Sequence, residues 1–129
     1  MEFFIDSADI EAIRELVAFL PIDGVTTNPT ILTKSGKDPE QVFAELCEVL
    51  TEDQKIIAQV VSPDYDSILA EARKIASIRS GKNIVVKIPV THEGLRAIPA
   101  AKAMGIKVLA TGIYSPDQAF DYGDRKSVV

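Results

Sequence analysis

Short apolar runs rich in β-branched residues alternate along this chain with stretches whose apolar residues recur every three or four positions. Runs at 3–6, 24–27, 56–61, 84–90 and 107–110 predict five strands. Between the first two, Ile10, Ile13, Leu16, Val17 and Leu20 fall at helical spacing, with Ser7 or Asp9 placed to cap and Pro21 to stop the segment. Asn28-Pro29 predicts a short helix with proline at its first position, and Pro39 starts a longer one reaching about Leu50. Ile68, Leu69, Ala72, Ile75 and Ala76 give one apolar face to a helix over 65–78. Thr91 caps a helix running to Met104, ended by Gly105, and Ser115-Pro116-Asp117-Gln118 begins another. Pro99 falls inside the 91–104 helix, where it removes one hydrogen bond and should kink it.

Strand and helix therefore alternate, and near-continuous hydrophobic strands of this kind belong to a parallel sheet covered by helices. Two architectures share the pattern, an open doubly wound sheet and a closed (β/α)8 TIM barrel. A barrel typically needs ~250 residues, and 129 are present. Length alone favours a five-stranded open sheet.

The run Ile84-Val85-Val86-Lys87-Ile88-Pro89-Val90 reads as a strand buried on both faces, yet it holds a lysine. A buried ammonium is costly. Lys87 is either an amine kept partly desolvated for nucleophilic use, or a residue whose stem packs while its head reaches water. Its setting favours the first reading. Asp6, Thr26-Thr27-Asn28, Gln59, Lys87 and Thr111 stand at the carboxyl ends of five strands, and each follows apolar residues. Both architectures gather their reactive groups at those ends.

Composition narrows the chemistry. Apolar residues make up 47% and charged residues 26%, as in an ordinary globular domain. A net charge of −5 offers nucleic acid or an anionic membrane no general attraction. No apolar stretch approaches the ~20 residues that span a bilayer, and the first residues lack a secretory pattern, so a cytoplasmic location is expected. One cysteine, Cys47, on the stripe Val42, Phe43, Leu46, Val49, Leu50, reads as a packed core thiol. With a single histidine, His92, neither a metal site nor a hydrolytic triad has its parts. Neither G-x-G-x-x-G nor G-x-x-x-x-G-K-[ST] occurs, which argues against nucleotide chemistry. An amine among neutral hydrogen-bonding groups and one carboxylate suits Schiff-base chemistry.

Phe4-Ile5-Asp6, Gly24-Val25-Thr26-Thr27-Asn28-Pro29-Thr30, Ala58-Gln59-Val60 and Val85-Val86-Lys87-Ile88-Pro89-Val90-Thr91, followed by Glu93-Gly94-Leu95, resemble the small transaldolase family from Met1 to about Phe120. Its fructose-6-phosphate aldolase branch is the nearer likeness. The resemblance implies a class I aldolase on a (β/α)8 TIM barrel, here shortened to about its first five strands, without metal or cofactor. It implies Lys87 as the Schiff-base lysine and Asp6 as the carboxylate receiving the donor's hydroxyls. Asn28 would steady the donor with Thr26 beside it, and Gln59 and Thr111 would hold the catalytic water. Gln59, where transaldolases tend to carry glutamate, and the run 109–114 point to the aldolase branch. The implied reaction is reversible cleavage of fructose 6-phosphate into dihydroxyacetone and glyceraldehyde 3-phosphate. The alternatives are transfer of a dihydroxyacetone unit between sugar phosphates, or an inactive fragment. The implied partners are the sugar phosphate or dihydroxyacetone and, in a full-length form, further copies of the chain in a homo-oligomer.

The likeness also implies a tyrosine for acid–base catalysis and an arginine and serine for the phosphate, none of which is supplied by Tyr114 or Arg125. The barrel portion is expected over 1–122 and a non-native tail over 123–129. Back-translated as GAT-CGG-AAG-AGC-GTC-GTG, the residues from Asp124 onward match the start of a common sequencing adapter. A half barrel would also leave two unpaired strand edges.

Overall fold

The computed structural model describes residues 2–79, 83–112 and 127–128. Its strands are β1 (Phe3–Asp6), β2 (Gly24–Thr26), β3 (Lys55–Gln59), β4 (Ile84–Pro89), β5 (Val108–Thr111) and β6 (Ser127–Val128). Its helices are α1 (Ile10–Phe19), α2 (Pro29–Ser35), α3 (Pro39–Val49), α4 (Tyr65–Ala76) and α5 (His92–Ala103). Each helix begins at a side-chain cap, and those at Asp9 and Thr91 were foreseen from residue type. Asp9, Asn28, Asp38, Asp64 and Thr91 accept backbone N–H groups of the first turns, which would otherwise be unpaired. Gly105, at φ 84°, leaves the end of α5 in the left-handed region. Despite Pro99, α5 runs unbroken. Pro99 lies on its exposed side, where water can serve the carbonyl left without a donor. The helix expected from Ser115 lies outside the described residues.

All pairings are parallel, in the order β5-β4-β3-β2-β1-β6. From β1 to β5 every strand lies beside its sequence neighbour. A doubly wound sheet reverses direction partway and carries helices on both faces. An unreversed order with right-handed crossovers places the helices on one side, which is the winding of a barrel wall. The core agrees. Ile5, Val25, Ile56, Ala58, Ile84, Val86 and Ile88 share one sheet face by register and form a single cluster with Ile13, Val42, Leu46, Ile68, Ala72 and Ala97 of the helices. Phe4 and Ile57, on the other face, are buried but stand outside that cluster. Cys47 is half-buried against the core, as its place on the apolar stripe of α3 suggests.

Two expectations need correction. β4 is not buried on both faces: Ile84, Val86 and Ile88 are, whereas Val85, Lys87 and Pro89 are half-exposed. The helical layer covers only one side, and in a closed barrel the opposite strands would cover the other. The third strand stops at Gln59, so Val61, 62% exposed, belongs to the following loop. Within the expected tail, Ser127 and Val128 pair with Phe3 and Phe4.

Candidate active site

Register alone brings the polar strand ends together. Asp6 pairs with Thr26, and Thr26 with Ile57. Ile57 pairs with Val85, and two residues further along both strands Gln59 pairs with Lys87. Lys87 pairs with Leu109, and two residues on Pro89 pairs with Thr111. Because side chains alternate with period two, Asp6, Thr26, Gln59, Lys87 and Thr111 all project from one face. It is the face opposite the helices. Five polar residues from five strands share it, and a one-residue slip in any strand would have sent its member into the core.

The hydrogen bonds support individual positions. Thr26 Oγ1 donates to Asp6 Oδ1 at 2.8 Å, so the aspartate is held by its cross-strand neighbour. Thr26 is buried and Asp6 exposed, which leaves carboxylate surface to receive another donor. Asn28 lies just past β2, and its Oδ1 is taken by the N–H of Ile31 at 2.9 Å. An amide committed through its oxygen keeps two N–H donors to offer. The N–H of Val60 donates to the carbonyl of Lys87 at 3.0 Å, and that of Val90 to the carbonyl of Thr111 at 2.7 Å. The strand ends carrying Gln59, Lys87 and Thr111 are thereby tied in sequence. Lys87 is half-buried, flanked on its own face by Val85, Pro89 and Leu109 and faced by Gln59.

Asp6 stands farthest from the lysine. On a flat sheet, three strand spacings and two residues of rise would separate them by roughly 16 Å. Curling of the sheet toward the shared face, as in a barrel wall, shortens that gap.

The chain entering α5 passes close to β4. A Cβ on Gly94 would meet the carbonyl oxygen of Pro89 at 1.9 Å, so only glycine lets the helix start this near the lysine strand. Glu93 pairs with Arg96 at 2.7 Å, and the Arg96 guanidinium lies 4.8 Å from the Tyr65 ring centroid. The Arg96 hydrogen bond is the chief reason that the Glu93 carboxyl is held below its ordinary value, with the Tyr65 backbone N–H assisting. The starts of α4 and α5 are thus joined beside the mouth of the sheet. Two clefts open nearby. One of about 730 Å³ runs along α1 and α2 to Asp6. The other, about 1200 Å³, lies between α3 and α4 and reaches Gln59 and Glu71. Lys87 lines neither of these two clefts.

Two residues were given no individual role by their sequence context. Thr27 is 1% exposed, and its Oγ1 finds no hydrogen-bond partner among the described residues. Glu71 of α4 accepts the N–H groups of Val61 and Ser62 in the loop after Gln59, at 2.8 and 2.9 Å. One more carboxylate on an amphipathic helix carries no sequence signal of such a contact. Among the described residues no cluster of histidine, cysteine and carboxylates could hold a metal, and no helix is long and apolar enough to cross a membrane.

Comparison with known proteins gives a consistent picture. A family model described as Transaldolase/Fructose-6-phosphate aldolase matches residues 3–127. Relatives named probable transaldolase are 40% identical in Clostridium tetani, 42% in Desulfotalea psychrophila and 44% in Geobacter metallireducens. Each alignment covers 92% of this chain and 54% of the relative. The chain spans about half the length of the curated relatives it matches.

Proposed function

The chain belongs to the transaldolase/fructose-6-phosphate aldolase family, and from that premise we propose that it carries the donor-binding and Schiff-base half of a class I aldolase site. The observation that carries this reading is the shared face: Lys87 lies in register with Gln59, on the side of the sheet that also bears Asp6, Thr26 and Thr111.

In this reading the neutral Lys87 amine adds to the ketone carbon of fructose 6-phosphate, forming a carbon–nitrogen bond. The former carbonyl oxygen takes up protons and leaves as water, held by Gln59 and Thr111. The iminium then draws in the electron pair of the carbon–carbon bond one atom away as the neighbouring hydroxyl loses its proton. Glyceraldehyde 3-phosphate departs and an enamine stays on the lysine. Asp6, fixed by Thr26, accepts hydrogen bonds from the donor's hydroxyls, and the free N–H groups of Asn28 steady its oxygen atoms. Protonation of the enamine and return of water release dihydroxyacetone. No step calls for a metal or cofactor. The phosphate-binding and acid–base groups would come from the part of the relatives' length that this chain does not span.

The names of the relatives favour a second reading, in which an aldose phosphate captures the enamine before a proton does, and the reaction is a transfer. Gln59, through the family likeness, favours cleavage. Incubation with fructose 6-phosphate, with and without an aldose phosphate acceptor, separates them. An aldolase releases glyceraldehyde 3-phosphate and free dihydroxyacetone without acceptor. Turnover strictly dependent on the acceptor would replace cleavage with transfer.

A further inference from the structure

We infer that Glu71 is a positioning residue for Gln59, a role that rests on the Schiff-base reading above. Three consecutive amides follow Gln59. The first, Val60, donates to the carbonyl of Lys87 at 3.0 Å. The second and third, Val61 and Ser62, both donate to Oε1 of Glu71, at 2.8 and 2.9 Å. Every N–H of the chain leaving the third strand is therefore committed, one to the backbone of the lysine and two to a single carboxylate oxygen.

The arrangement is stronger than a loop needs for its own sake. Val61 is 62% exposed, and water could serve its N–H at little cost. Hydrogen bonds from two amides to one ionised oxygen are charge-assisted and shorter than neutral ones. Glu71 and Gln59 line the same cleft, and Glu71 reaches the loop from α4, which buries Ile68, Leu69, Ala72 and Ile75 in the core. The carboxylate thus ties the end of β3 to the helical layer. It fixes the height of Gln59 against Lys87, where the departing water of iminium formation must be met.

The test uses this chain with dihydroxyacetone and borohydride, read by intact mass, together with amide hydrogen exchange. In Glu71→Ala, exchange at Val61 and Ser62 should quicken about tenfold or more. Hydride trapping at Lys87 should slow by roughly ten- to hundredfold, the scale of a small misplacement of a catalytic group. The melting temperature should hold, because no core contact is removed. Glu71→Gln, which keeps an acceptor oxygen, should recover most of both. Unchanged exchange at the two amides overturns the inference, and so does quickened exchange with undiminished trapping. If the unaltered chain is not trapped at all, the Schiff-base reading fails together with the positioning role. Exchange then reports only whether the clamp exists.

Discussion

Thr27 is a polar residue in a place that gives its hydroxyl nothing to do. Its N–H is paired with the carbonyl of Ile57 at 2.9 Å, but its buried Oγ1 has no partner among the described residues. An unpaired buried hydroxyl costs free energy that an isosteric methyl does not. Thr27→Val should therefore be neutral, or stabilising by up to about 1 kcal/mol, in urea denaturation. Thr26→Val, one residue earlier, should cost about 0.5–1.5 kcal/mol because it removes the bond to Asp6. A loss above about 2 kcal/mol for Thr27→Val would show a buried water satisfying the hydroxyl. Polarity in the Thr26-Thr27-Asn28 run is legible from sequence, but its division of labour is not. Thr26 points to the aspartate and Thr27 into the helical side, a difference of one residue in phase. Glu71 was illegible for another reason: its partners are backbone amides nine and ten residues earlier, brought near only when the helix folds back.

At the level of elements, the caps at Asp9 and Thr91 were readable, because an Asp or Thr before a periodic run satisfies orphaned N–H groups whatever the tertiary context, whereas Asp38 and Asp64 were not read as caps. Asp64 caps α4, and the backbone N–H of Ser67 is the chief cause of its carboxyl lying below the ordinary 3.8. Glu93 at the start of α5 is likewise held below 4.5, chiefly by Arg96. A depressed carboxyl contributes stability that is complete above its unfolded value and is lost as pH falls through its folded one. Thermal denaturation should thus show stability flat from neutral pH to about 5 and falling below about 4, with Asp64→Asn shallower in that window. An equal acid slope in the variant would remove the cap from the account. The strand carrying Lys87 was misjudged as buried on both faces, since an unbroken apolar run does not say whether both its sides are covered. Its junction with α5 was invisible in sequence and is severe in space. Gly94→Ala forces a Cβ against the Pro89 oxygen. It should destabilise by about 1–3 kcal/mol or more, a loss measurable in the same urea titrations. A neutral Gly94→Ala would mean that the helix start can move freely, and the placement of the lysine strand would then need another cause.

For the whole molecule, sequence left open whether the sheet was doubly wound or part of a barrel wall, because both are built from the same alternation. Strand order decides it. Five strands follow one another without a reversal, their helices sit on one side, and the polar strand ends face the other. Residue type picked out the polar strand ends, but only register shows that they share a face. The chain spans about half the length of its curated relatives. The central claim is that this face performs iminium chemistry at one amine. The most direct measurement is incubation with dihydroxyacetone and borohydride, followed by peptide mass mapping of the adduct. The account predicts a single reduced adduct on Lys87, absent in Lys87→Ala and diminished in Gln59→Ala. Labelling spread over surface lysines, or confined to a lysine other than Lys87, would contradict it.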